Sequence, residues 1–192
     1  MEELTVDVLI ARVKDKDPKV RAAAWQAAGK VGAPAVKPLA GVAATGELEV
    51  ARAANRGLWK IVRTAGRPGA ENERAAVVAE LLDVLDNAQL PVQLRRDVVW
   101  MLSEIIRDDE IDPDGAASLL DDPDLREDVR CALQRVPGER ALTALKIGFG
   151  RATGEFKAAL ACALRARGIA VAEPPCPKLV PTKQTSVKPI AG

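Results

Sequence analysis

The sequence contains no histidine and no tyrosine, and its aromatic residues are 3 Trp and 2 Phe in 192 positions. Without an imidazole there is no Ser–His–Asp or Cys–His nucleophile system. His-ligated zinc sites of the HExxH kind and c-type haem attachment are excluded for the same reason. Cysteine is scarce too. Cys131, Cys162 and Cys176 form no CxxC pair and leave one thiol over, which argues against a disulfide framework and for a reducing compartment. No apolar run approaches the length of a membrane span. Neither sign of charge dominates: 28 Lys and Arg face 27 Asp and Glu, and a net charge of +1 gives no general pull toward nucleic acid or anionic membrane. The opening residues, Met1-Glu2-Glu3, are acidic and lead straight into an amphipathic stretch. The expectation is a cytoplasmic protein without a signal peptide.

Alanine and leucine are plentiful, and hydrophobic residues make up 48% of the chain. These side chains lose little entropy in a helix, so helix is favoured over sheet. The chain also repeats itself. Asp17-Pro18-Lys19-Val20-Arg21 is echoed by Asp122-Pro123-Asp124-Leu125-Arg126. Stepping on from Arg21, the cations Arg52, Arg95, Arg126 and Lys157 follow at intervals of 31, 43, 31 and 31 residues. The long interval holds the polar stretch Gly66–Glu73, which reads as an inserted Gly/Pro loop of about twelve residues.

The apolar positions keep the same register. One residue before each cation stand Val20, Ala51, Leu94, Leu125 and Phe156; three after it stand Ala24, Asn55, Val98, Val129 and Leu160. With the pairs six and seven residues on, these offsets form one stripe of a helix with 3.6 residues per turn. Pro18, Pro91 and Pro123 fall where a first helical turn tolerates a missing N–H. Five such helices are each preceded by a shorter candidate, at about 3–14, 34–45, 72–87, 113–120 and 138–149. The fourth is the weakest, with Asp112, Pro113, Asp114 and Gly115 crowding its start. Pairs this short cannot bury their stripes alone, so the pattern predicts an all-α stack of about five helix pairs with one continuous core. Leu102 and Leu133 occupy core offsets, as does Trp59.

The run DPKVRAAAWQAAGKVG, Asp17 to Gly32, resembles the second-helix signature of HEAT repeats, in particular the short variety of phycobilin-lyase-type proteins. The resemblance extends over about residues 1–170 and implies a right-handed α-solenoid, a HEAT-like superhelix, over residues 1–172. A tetratricopeptide array fits less well, since its tyrosine position is unfilled, and the TPLH turn of ankyrin repeats needs a histidine. Residues 173–192 form a separate segment. Pro174, Pro175, Pro177, Pro181 and Pro189 remove donors and disfavour helix, which predicts an extended tail, cationic through Lys178, Lys183 and Lys188. Its apolar residues are expected to dock on the chain's own solenoid or on a neighbour's.

In the HEAT family the register cation belongs to a structural ladder, and the resemblance gives that role to Arg21, Arg52, Arg95, Arg126 and Lys157, with Asp17 and Asp122 as acidic partners. A ladder neutralised in this way leaves little charge for phosphate. Second helices in such solenoids line the concave surface, where the outward offsets place Trp100, Arg96, Gln26, Lys60, Gln134 and Arg165. A large amphipathic ring among small residues is a typical anchor of protein–protein binding. Cys131 and Cys162 share an offset, but packed helix axes about 8–10 Å apart suit no disulfide, and two thiols without histidine make a poor zinc site. The acids at 108–114 share only D-x-D spacing with calcium loops and fit helix N-termini instead. The expectation is therefore a non-catalytic protein-binding scaffold that uses its concave face, its tail or both, with no cofactor, metal or membrane. The alternatives, a nucleic-acid-binding or base-repair protein and a phycobilin-lyase-like chaperone, rest on fold analogy.

Overall fold

A computed structural model describes residues 4–174, and the tail residues from Pro175 on, with Cys176, lie outside the described part. Ten α-helices and no strand occur among the described residues. They alternate as five pairs: α1 (Val6–Val13) with α2 (Pro18–Ala27), α3 (Val36–Thr45) with α4 (Leu48–Ala65), α5 (Glu71–Asp86) with α6 (Val92–Ile105), α7 (Pro113–Leu119) with α8 (Arg126–Arg135), and α9 (Glu139–Arg151) with α10 (Gly154–Ala166). The expected stack of helix pairs is thus the fold.

Local chemistry sets the helix starts. The Asp17 carboxylate accepts from Lys19 N–H at 2.8 Å, with Pro18 at the next position, where its missing donor costs nothing. Asp112 does the same for α7, accepting from Asp114 and Gly115 N–H ahead of Pro113. The insertion between repeats two and three takes a different form from the expected loop. Its residues lengthen the helices, so that α4 has 18 residues and α5 has 16, joined by the short turn Gly66–Ala70. Glu71, Glu73 and the alanines that follow are good helix formers with acids in the first turn, and the helical pattern runs up to the Gly/Pro core of the segment.

The second helices pack in an unbroken row, α2 on α4, α4 on α6, α6 on α8 and α8 on α10. Their stripe supplies the core: Ala24, Val98, Val129 and Leu160 are buried, as are Leu102 and Leu133. Trp59 only half belongs there. It packs on the core with part of its ring exposed, and the Arg63 guanidinium lies 5.5 Å above it. The first helices form a second row, α1 on α3, α3 on α5 and α7 on α9, but α5 and α7 barely meet. With only seven residues, α7 is too short to fill its place.

Polar clamps join the repeats where the helices end. After α6, the Asp108 carboxylate receives Arg140 N–H at 3.0 Å and Ala141 N–H at 2.8 Å, so it caps α9 from the repeat before. Gly138, at the N-cap of α9, has φ +130°, and a Cβ there would overlap this carboxylate. Only glycine fits both demands. Burial raises the Asp108 carboxyl, but the N–H groups of Ala141, Arg140 and Glu139 outweigh it and hold the group below its ordinary value. Nearby, Arg74 on α5 grips Glu110 with two hydrogen bonds, at 2.6 and 2.9 Å, and also donates to the Ile105 carbonyl at the end of α6. Burial raises Glu110 as well, and Arg74 with the Arg107 N–H brings it below its usual range. At the far end Arg167 donates to the carbonyls of Leu133, Val136 and Gly138, satisfying the C-terminus of α8.

Leu160, fully buried between α10 and its neighbours, should cost about 2–5 kcal/mol when truncated to Ala, read from urea unfolding. Asp108→Ala should cost about 1 kcal/mol as a lost cap. Because the folded carboxyl is lowered, its stabilisation is complete above the unfolded value and disappears as pH falls through the folded one. Unfolding midpoints measured from neutral to acid pH should therefore fall less steeply in Asp108→Ala than in the parent protein.

Candidate functional site

Two charged residues are buried among the described residues, Arg74 and Asp128. Arg74 is engaged at the clamp described above, and Asp128 is the centre of the second-helix face. It sits in the first turn of α8, and its carboxylate points across to α6. Trp100 Nε1–H donates to one of its oxygens at 2.8 Å and Arg96 Nε–H to the other at 2.6 Å. Arg96 and Trp100 stand four residues apart on α6, hence on one side of that helix. The Arg135 guanidinium lies 5.8 Å from the Trp100 ring centroid and also donates to Ser103 Oγ and Glu104. The half-buried indole is thus tied at its edge by a carboxylate and flanked by a cation.

The same device occurs one repeat earlier. Asp97 lies two residues after Arg95 just as Asp128 lies two after Arg126. It accepts from Asn55 Nδ2 on α4 at 2.6 Å and from Gln93 Nε2 at 3.0 Å. This contact accounts for the polar Asn55 in a stripe that is otherwise apolar. A polar seam therefore links α4, α6 and α8. All four carboxylate oxygens of Asp97 and Asp128 accept hydrogen bonds, an arrangement that positions side chains rather than moves protons.

Of the expected partner-facing residues, the structure brings Arg96 and Trp100 together. Gln134 accepts from Arg130 at 3.3 Å on the same face of α8. Gln26 and Lys60 are exposed on α2 and α4, two repeats and one repeat before Trp100. Arg165 is turned to the chain that follows α10, donating to the carbonyls of Val171 and Glu173.

The register cations have varied contacts. Arg21 donates to the carbonyls of Asp15 and Lys16 at 2.8 and 2.9 Å, and Arg95 donates to that of Leu85 at 2.9 Å. Arg52 pairs with Glu49 at 2.6 Å on the surface. Arg126 lies over Phe156 and Lys157 over Phe149, with centroid distances of 4.7 and 5.1 Å. Asp17 serves as the α2 cap. Asp122 receives Asp124 N–H at 2.9 Å and lies 3.7 Å from Arg95 of the preceding repeat.

The sequence reading passed over Asp128 and Arg135, and weighed Asp97 only with Trp100 and Arg96 in the base-repair alternative. The signal was present, because both aspartates share the offset two residues beyond a register arginine. Cys131 and Cys162 are half-buried and not joined by a disulfide, and Arg130 Nη2 donates to Cys131 Sγ at 3.2 Å. No helix among the described residues is long and apolar enough to cross a membrane.

Compared with known proteins, residues 2–59 match the family model for HEAT repeats, a span from the start of the first repeat into α4. No curated protein matches the chain. The likeness to phycobilin-lyase-type proteins therefore has no support from relatives.

Asp128→Ala should destabilise the protein by about 1–3 kcal/mol, because Trp100 Nε1–H and Arg96 both lose their acceptor in a half-buried place. Arg96→Ala should cost less, since that side chain is 43% exposed and its carboxylate keeps the indole. Urea unfolding of the two variants checks the order.

Proposed function

We propose that this stack of helix pairs, whose residues 2–59 match the family model for HEAT repeats, is a non-catalytic scaffold that binds a partner protein on the face of its second helices, with Trp100 as the anchor. The observation that carries this reading is the pre-set indole. Its edge is fixed by Asp128 and one side is flanked by Arg135, so little rotamer freedom remains to be lost on binding. Arg96 shares its carboxylate, Arg135 beside the ring pairs with Glu104, and on α8 Arg130 joins Glu127 to Gln134, so charges of both signs and a neutral amide lie on this face. A large ring inside a mixed polar rim is the composition of a protein-binding hot spot. Gln26 and Lys60 extend the surface toward the N-terminal repeats, whereas Arg165 is engaged by the chain after α10 and is not part of it. The scaffold works in the cytoplasm without cofactor or metal.

The base-repair alternative draws no support from the geometry. Both oxygens of Asp97 are taken by Asn55 and Gln93, and the face around Trp100 mixes acids with its arginines.

Affinity capture from the source organism, run in parallel with wild-type protein and Trp100→Ala, tests the proposal. The variant should keep its helical circular dichroism and lose the captured protein by about tenfold or more, as expected of a hot-spot residue. A partner retained at full yield by a folded Trp100→Ala variant contradicts it. So does capture of nucleic acid alone, released by moderate salt.

A further inference from the structure

The interrupted row of first helices leaves an apolar crevice of about 420 Å³ between α5 and α7. Leu82 of α5 and Leu119 of α7 form its sides; Leu102, Ile106, Leu133 and Val136, from α6, α8 and their ends, form its floor. Three acids also line it, Asp86, Glu110 and Asp112, and no Lys or Arg does. Glu110 is committed to Arg74, whereas Asp86 and Asp112 leave the opening anionic. An apolar cleft of this size with an acidic rim calls for an occupant with large aliphatic side chains and flanking cations.

We propose that this crevice is the docking site of the chain's own C-terminal segment, residues 175–192. Three observations converge on that occupant. The first is position: Arg167, just beyond α10, is bonded to the carbonyl of Val136 at 2.6 Å, and Val136 is part of the crevice floor. Arg167 thus ties the start of the chain after α10 to the end of α8, at the crevice floor, and the described chain runs on past Arg165 to Pro174. The second is length. Eighteen residues follow Pro174, an extended reach of up to roughly 60 Å, ample to enter a cleft two helices away. The third is chemistry. The segment offers Leu179, Val180, Val187 and Ile190 among Lys178, Lys183 and Lys188 and contains no acid. Its prolines fix φ in advance and reduce the entropy lost on docking, and the covalent tether supplies a high effective concentration. The proposal stands independently of the second-helix face.

Hydrogen exchange of the full chain tests it, comparing wild type with the variant Leu179→Asp/Val180→Asp/Val187→Asp/Ile190→Asp. These substitutions lie outside the repeats and leave the solenoid core intact. Amides in peptides covering residues 82–90 and 113–122 should exchange about tenfold faster in the variant, with those of α3 and α4 unchanged. Equal exchange of the crevice peptides in the two proteins overturns the proposal. Protection that appears only at high protein concentration also overturns it, because the occupant is then the segment of a second copy.

Discussion

Everything in this structure follows from the inability of a short helix pair to cover its own apolar stripe. Helices of 7 to 18 residues are marginal in isolation, and each gains its stability from neighbours on both sides. Stacking solves the burial problem but drives polar groups into the joints between repeats, where each needs a partner. The two buried charges mark where that demand is greatest. Asp128 is matched by Trp100 and Arg96 from the previous repeat, and Arg74 by Glu110 from the following turn. The same groups that make the stack specific also hold an aromatic ring at its surface. Fold and candidate site are two consequences of one seam.

The acidic run from Asp108 to Asp114 illustrates how the joints use charge. Asp108 caps a helix of the next repeat, Glu110 holds the arginine of the preceding helix, and Asp112 starts α7. These three carboxylates all face donors of the protein. Arg140 completes the joint by donating to the carbonyls of Asp109 and Ile111. This compact turn lies next to the gap between α5 and α7, with Glu110, Ile111 and Asp112 on its lining.

The helix pairs were legible because their causes are local. A cation in register and a stripe at fixed offsets specify the second helices and the side they bury, whereas Asp-Pro marks the start of α2 but not of α8, which begins at Arg126, three residues after Pro123. The third first helix, expected at 72–87, is α5 at Glu71–Asp86, but the extension of α4 to Ala65 was hidden, since a Gly/Pro cluster reads as a loop whatever the helix before it does. The polar seam was hidden for another reason. The partners of Asp97 and Asp128 on neighbouring helices lie 42 and 28–32 residues away, and only packing determines which helix faces reach each other. Asn55 looked like a defect in the stripe and is instead the partner of Asp97. The crevice was equally invisible, because it arises from what a short helix fails to fill. Its one trace in the sequence was the crowded start of α7.

The central claim is that a partner protein is bound on the second-helix face, and the location of the contact tests it most directly. A photo-crosslinking residue placed at Gln134, on α8, or at Lys146, exposed on the first helix α9, would report contacts in cells of the source organism. The account predicts a covalent adduct from position 134 and none from position 146. An adduct from position 146 with none from position 134 would contradict it.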